Sequence, residues 1–167
     1  MKLNSRITSL AGTVLTAVVL STGTARADVV LDWNAIMVST VATQQPFAQA
    51  RFAAIMQLAV FEAVNTITGD YKTYRVTGTA TSGASPEAAA IAAAHTVLKN
   101  YFPGNAVALD AARVSSLAGI ADGPAKTSGI TTGELAAAAV IAMRNNDGAA
   151  PPEFYLPGLQ NPGEWQS

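Results

Sequence analysis

Apolar residues along this chain recur at helical intervals, and no stretch alternates with the two-residue rhythm of a strand. The clearest run lies between Phe47 and Ile67. There Phe52, Ile55, Met56, Ala59, Val60, Ala63, Val64 and Ile67 are spaced three, one, three, one, a continuous helical stripe wide enough to be buried. A shorter run from Val30 to Thr43 places Trp33, Ile36, Met37 and Val41 on one side. Thr68-Gly69-Asp70 closes the long helix. The segment 68–84 is polar and rich in Gly, Thr and Ser, and predicts a loop with Tyr71 and Tyr74 as its anchors.

Ser85-Pro86-Glu87 opens a third helix: the serine can cap, the proline suits the first helical position, and the glutamate favours the positive end of the dipole. This helix reaches Phe102, where Pro103-Gly104 stops it. Asn105 is placed to cap a fourth helix ending near Ala121, before Asp122-Gly123-Pro124. A capping box, Thr131-x-x-Glu134, predicts the start of a fifth, which ends near Asn146. The pattern predicts an all-α bundle of about five helices over residues 28–147, with short Pro/Gly connections. An extended, irregular segment follows over 148–167, because Pro151, Pro152, Pro157 and Pro162 fix φ and remove backbone donors. Phe154, Tyr155 and Trp165 are the aromatic anchors such a segment carries across a neighbouring surface. The chain stops two residues after Trp165, so the expectation is the front part of a larger exported protein.

Residues 1–27 have the three parts of a secretion signal. Lys2 and Arg6 are the basic start, Leu10 to Leu20 the apolar stretch, and Ala25-Arg26-Ala27 the cleavage site before Asp28. The apolar stretch is too short for a span of about 20 residues, so cleavage leaves no stable membrane anchor. The expected location is periplasmic or secreted. Cleavage would leave 7 basic and 11 acidic residues, which argues against nucleic-acid binding, since that rests on clustered Lys and Arg. The chain has no cysteine, which excludes disulfides, thiolate metal sites and cysteine nucleophiles. Runs of alanine, Ala88 to Ala94 around Ile91 and Ala136 to Ala139, let helices approach closely. They also bury little area, at roughly 25 cal/mol per Å², and such a thin core is more comfortable against a larger partner.

Candidate chemistry is sparse. His95, the one histidine, shares a helical face with Ile91, Leu98 and Phe102. A general base or ligand is conceivable there, but the pattern favours a core-edge residue bonded to a neighbouring helix. Arg51 and Glu62 differ by about 20° around their helix. Glu62 sits at the edge of the buried stripe and needs a partner, so an interhelical ion pair is preferred to a catalytic acid. Arg144 to Gly148 superficially suggests a calcium loop, but it lacks the alternating ligands and downstream glutamate; a helix C-terminus explains it better. Ser115, Ser116 and Ser128 have no elbow motif or candidate base. No catalytic, cofactor-binding or metal residue is assigned.

The stretches ARFAAIMQLAVFEAVN (Ala50 to Asn65, with Tyr71 or Tyr74 after it) and ASPEAAAIAAAHTVLKNYFP (Ala84 to Pro103) occur in order with IADGPAKTSGITTGELAAAAVIAMRNNDG (Ile120 to Gly148) and YLPGLQNPGEW. Together they resemble the N-terminal helical half of bacterial vanadium-dependent haloperoxidase-like proteins, in the phosphatidic-acid phosphatase type 2 superfamily. The resemblance implies an all-helical fold whose active site is built by the C-terminal half. There a Lys with Arg-Pro, a Pro-Ser-Gly-His and a Ser-Arg…Gly-His…Asp cluster bind vanadate or phosphate. None of these motifs occurs here; Ser82-Gly83 and Ser128-Gly129 are not followed by histidine. No catalytic residue carries over. The implied role is a silent scaffold fragment, whose partner is its missing C-terminal half or another copy. Full-length relatives would oxidise halide with peroxide or hydrolyse phosphate esters. The alternative is a stand-alone exported helical module that binds a partner protein; a small hydrolase using Glu62 and His95 has least support.

Overall fold

The computed structural model describes residues 28–74 and 82–149. The leader expected at 1–27, and the proline-rich segment from residue 150 on, lie outside the described residues. Five α-helices and one short 3-10 turn make up the bundle, with no strand among the described residues: α1 (Val29–Val41), α2 (Pro46–Thr68), α3 (Pro86–Tyr101), the turn Pro103–Asn105, α4 (Ala106–Ala118) and α5 (Pro124–Arg144). The all-α fold class is as the periodicity predicts.

Local chemistry accounts for most boundaries. The Asp28 carboxylate accepts from Val30 N at 2.9 Å and caps α1. Gly69, left-handed at φ 69°, closes α2 by donating to Asn65 O. Ser85 Oγ accepts from Ala88 N at 3.1 Å and caps α3, as expected. Its backbone N–H also donates to Ala125 O at 2.9 Å, tying the starts of α3 and α5 together.

Three sequence expectations are corrected. α5 begins at Pro124, seven residues before Thr131. Gly123, at φ 148°, delivers the chain to Pro124 at the first helical position. Thr131 lies inside the helix, and its hydroxyl donates back to Thr127 O at 3.1 Å instead of capping. α4 stops at Ala118, because the N–H groups of Gly119 and Ile120 turn to acceptors three residues back. Its start is led by the 3-10 turn, and the Asn105 side chain makes no capping bond. The Tyr71 and Tyr74 rings anchor their loop less than expected, being 71% and 64% exposed, with Tyr71 meeting the Phe61 ring at 6.3 Å.

α3 packs against all four other helices, and Ala88 through His95, Val97 and Leu98 are all buried. A helix that is apolar around its whole circumference must lie at the centre. α5 runs parallel to it at very short range: Gly129 lies on Ser85 and Ala88, and Gly133 on Ala89 and Ala92. Phe52, near the start of α2, packs its ring on Tyr101 and Phe102 at the end of α3, with centroids 5.1 and 4.9 Å away. α4 returns antiparallel along α3, and α1 closes the side through buried Trp33, Met37 and Val41. α2 has the length and apolar composition of a membrane span, but in this bundle it packs on α1, α3 and α5.

A β-carbon at Gly133 would lie 2.2 Å from Ala89 O, and one at Gly129 2.3 Å from Ser85 O. Either would force the two backbones apart. Gly133→Ala is therefore expected to destabilise the fold by about 1–3 kcal/mol in urea unfolding. Gly104→Ala, which meets nothing within 4 Å, should stay within about 0.5 kcal/mol of the parent. Equal stability of the two variants would contradict this packing.

Candidate functional site

The densest polar cluster lies where α3, α4 and α5 meet. His95 projects from α3 and is only 5% exposed. Its Nε2 is 2.7 Å from Asp110 Oδ1, and its Nδ1 is 3.1 Å from Arg113 Nη1, both on α4. An arginine can only donate, so Nδ1 must be the acceptor and the neutral ring carries its proton on Nε2, donating to Asp110. Asp110 also accepts from Lys99 Nζ at 2.7 and 2.8 Å. Arg113 extends the network to α5, donating to Glu134 Oε1 at 2.6 Å. Trp33 of α1 stands edge-on to the His95 ring, at 6.2 Å and 89°, and its Nε1 donates to Ser116 Oγ at 3.2 Å.

These contacts set the charge states. Burial holds the His95 pKa below its ordinary value of 6.5, and the Arg113 charge adds to this; the bond to Asp110 opposes both without winning. Asp110 is held below the usual carboxylate range, first by the Lys99 hydrogen bond and then by that of His95. A histidine beside an aspartate resembles two members of a nucleophile-activating triad. Here, however, the lone pair that would take a proton is occupied by Arg113, and the nearby Ser116 hydroxyl is engaged by Trp33. The arrangement clamps three helices and has no base free to act.

A second cluster lies at the end of the bundle where α3 and α5 finish. Arg51 Nη2 donates to both Asp147 oxygens, at 3.1 and 3.0 Å, and Arg144 Nη1 is 3.8 Å from the same carboxylate. Partial burial pushes Asp147 up, but the Arg51 bond, with help from Ala149 N and Arg144, holds it below the usual range. Arg51 also lies over the Phe52 and Tyr101 rings, 5.6 and 6.0 Å from their centroids. With Tyr101 and residues 145–149 these groups line a polar groove of about 480 Å³. This is the one place among the described residues where two guanidiniums converge; Asp147 is bonded to Arg51, while Arg144 Nε is buried without a hydrogen-bond partner among them. No group of three His, Asp or Glu side chains among them is placed to hold a metal.

A third cluster fastens the loop after α2. Asn65 donates through Nδ2 to Tyr71 O at 2.7 Å and accepts from Tyr71 N at 2.8 Å. Glu62, fully buried, accepts from Tyr74 N at 2.5 Å. One of the contacts of Glu62 is thus a carboxylate–backbone bond to the loop.

Of the sequence candidates, His95 makes the interhelical bond its position predicts, and Arg51 pairs with Asp147 rather than with Glu62. Arg144 ends α5 in its last turn, as a helix C-terminus requires. Glu62 faces the loop and His95 faces α4, so the two serve different interfaces. Asp110, Arg113 and Glu134 escape sequence reasoning; the only signal is the three-residue spacing of Asp110 and Arg113 on one helical face. Comparison with family models, with curated proteins and with solved structures gives no match.

Arg113→Met removes both a donor to His95 Nδ1 and a positive charge beside the ring. The His95 pKa is expected to rise relative to the parent. Because the chain has one histidine, an NMR titration of the imidazole reads this without ambiguity, and an unchanged or lower pKa would contradict the network.

Proposed function

We propose that this chain is the N-terminal helical scaffold of an exported vanadium haloperoxidase-like protein of the phosphatidic-acid phosphatase type 2 superfamily, catalytically silent by itself. The observation that carries this reading is the commitment of its one imidazole to structural bonds. His95 has both ring nitrogens engaged, and Arg51 is bonded to the Asp147 carboxylate. The ordered resemblance of residues 50–65, 84–103 and 120–148 to that family supports it further. The chemistry would belong to a C-terminal half carrying the cationic and histidine motifs for vanadate or phosphate. The described bundle would brace that half and help wall its cavity. Export rests on the three-part leader at 1–27.

A second reading, a stand-alone exported module that binds a partner protein, is favoured by one observation. α1 exposes Leu31 and Val38, α4 exposes Val107 and Val114, and an apolar groove of about 400 Å³ lies between these two helices.

The scaffold reading predicts that purified protein, supplied with vanadate, peroxide and bromide, or with a phosphate monoester, shows no turnover above buffer. It also predicts that the gene read beyond the codon for Ser167 encodes Arg-Pro, Pro-Ser-Gly-His and Ser-Arg…His motifs. Turnover by this chain would overturn the silent scaffold. A stop codon followed by unrelated sequence would leave the binding module.

A further inference from the structure

α4 is the helix least secured by apolar packing. Leu109 is its one buried residue, and an open groove lined by Ile36, Ala108, Leu109 and Ala112 runs along its α1 side. Ala112 and Leu117 add partly buried contacts, and the other ties are polar: Asp110 to Lys99 and His95, Arg113 to His95 and Glu134, and Ser116 to Trp33. Its two connections contain Gly104 on one side, and Gly119 and Gly123 on the other, with Gly123 at φ 148°. A short helix hinged at both ends and fastened by hydrogen bonds can move as a unit.

We propose that α4 is an acid-loosened lid, in which protonation of His95 breaks its bond to Arg113, one of the polar ties that hold α4 on the bundle, and lets the helix lift. The argument rests on the geometry around one ring. Nδ1 is the acceptor for Arg113, so a proton placed there removes the acceptor and sets two cations about 3.1 Å apart. The charged groups around His95 are Lys99 from α3, Asp110 and Arg113 from α4, and Glu134 from α5 acting through Arg113. α1 contributes only the uncharged Trp33 ring. With neutral His95 the cluster holds two cations and two anions, and protonation adds a third cation without adding an anion. Asp110 cannot turn wholly to the new charge, because Lys99 already holds both of its oxygens. At 5% exposure the ring has little water to take over.

The direction of the effect follows from linkage. The folded pKa of His95 lies below its unfolded value. Its neutral form thus contributes stability that is fully present above about pH 6.5 and is lost as pH falls towards the folded pKa. Asp110, held below the usual carboxylate range, stays charged until lower pH, so the first step on acidification belongs to His95.

Amide exchange of the whole protein, corrected for its intrinsic pH dependence, tests this between pH 7 and about pH 4.5. Protection of residues 106–118 is expected to fall at least about tenfold while residues 88–98 keep theirs. The midpoint should coincide with the NMR titration of the single imidazole. His95→Gln, which keeps a donor for Asp110 and cannot titrate, is expected to hold α4 protected across the range. Three results would each overturn the proposal: unchanged α4 protection through the His95 titration, loss of α3 and α4 protection in one step, or the same pH response in His95→Gln. Should that variant not fold, the two midpoints in the parent protein decide, and midpoints that differ reject the lid.

Discussion

Contact between α3 and α5 with no side chain larger than alanine at Gly129 and Gly133 is the constraint on which the bundle depends. Gly129 and Gly133 lie four residues apart on one face of α5 and meet Ser85, Ala88, Ala89 and Ala92 of α3. At that distance the helices gain dispersion from backbone against backbone rather than from large buried side chains. The larger apolar groups buried on α3 number only three: Ile91, Val97 and Leu98. A core of this kind derives its strength from fit, and any added atom at the contact is felt by both helices. It also leaves α3 enclosed, so polar side chains can find partners only where the enclosing helices meet.

That enclosure divides the bundle into two parts. α2, α3 and α5 pack mutually and form the compact axis, with Ile55, Met56, Ala59, Ala63, Ala136, Ala137 and Val140 filling the spaces. α1 and α4 lie on the flank and are held differently. α1 relies on Trp33, Met37 and Val41, whereas α4 has one fully buried apolar residue, partly buried Ala112 and Leu117, and a set of charged bonds. Charged bonds at a partly exposed interface are worth less than packing and depend on protonation state. The bundle thus combines a rigid axis with one conditionally attached helix. The same commitment of His95, Arg113 and Asp147 to fastening leaves these groups little capacity for chemistry.

The helical class was legible in the sequence because five apolar stripes with flanking Pro, Gly and Ser signals all point one way. The boundary of α5 was not, for a definite reason. Asp122-Gly123-Pro124 reads equally as the end of one helix and the start of the next, and the capping-box pattern at Thr131 drew the start into the helix interior. That displacement placed Gly129 outside the helix, so its four-residue spacing from Gly133 carried no meaning. The loop after α2 failed differently. Tyr71 and Tyr74 suggested anchoring rings, but buried Asn65 and Glu62 bind the backbone of these two residues, and the rings stay largely in solvent. Long-range pairs were out of reach altogether: nothing in the local pattern links Arg51 to Asp147, 96 positions away. His95 was placed correctly because its helical face fixes its surroundings, but its tautomer depends on Arg113, which only the fold brings near.

A solution NOE spectrum of the α3–α5 contact tests the central claim most directly. Close packing predicts strong cross-peaks from the Gly133 α-protons to the Ala92 methyl and from the Gly129 α-protons to the Ala88 methyl, with no exchange peaks from these methyls to water. Absent cross-peaks, or alanine methyls of α3 in contact with solvent, would contradict a bundle built around a buried small-residue axis.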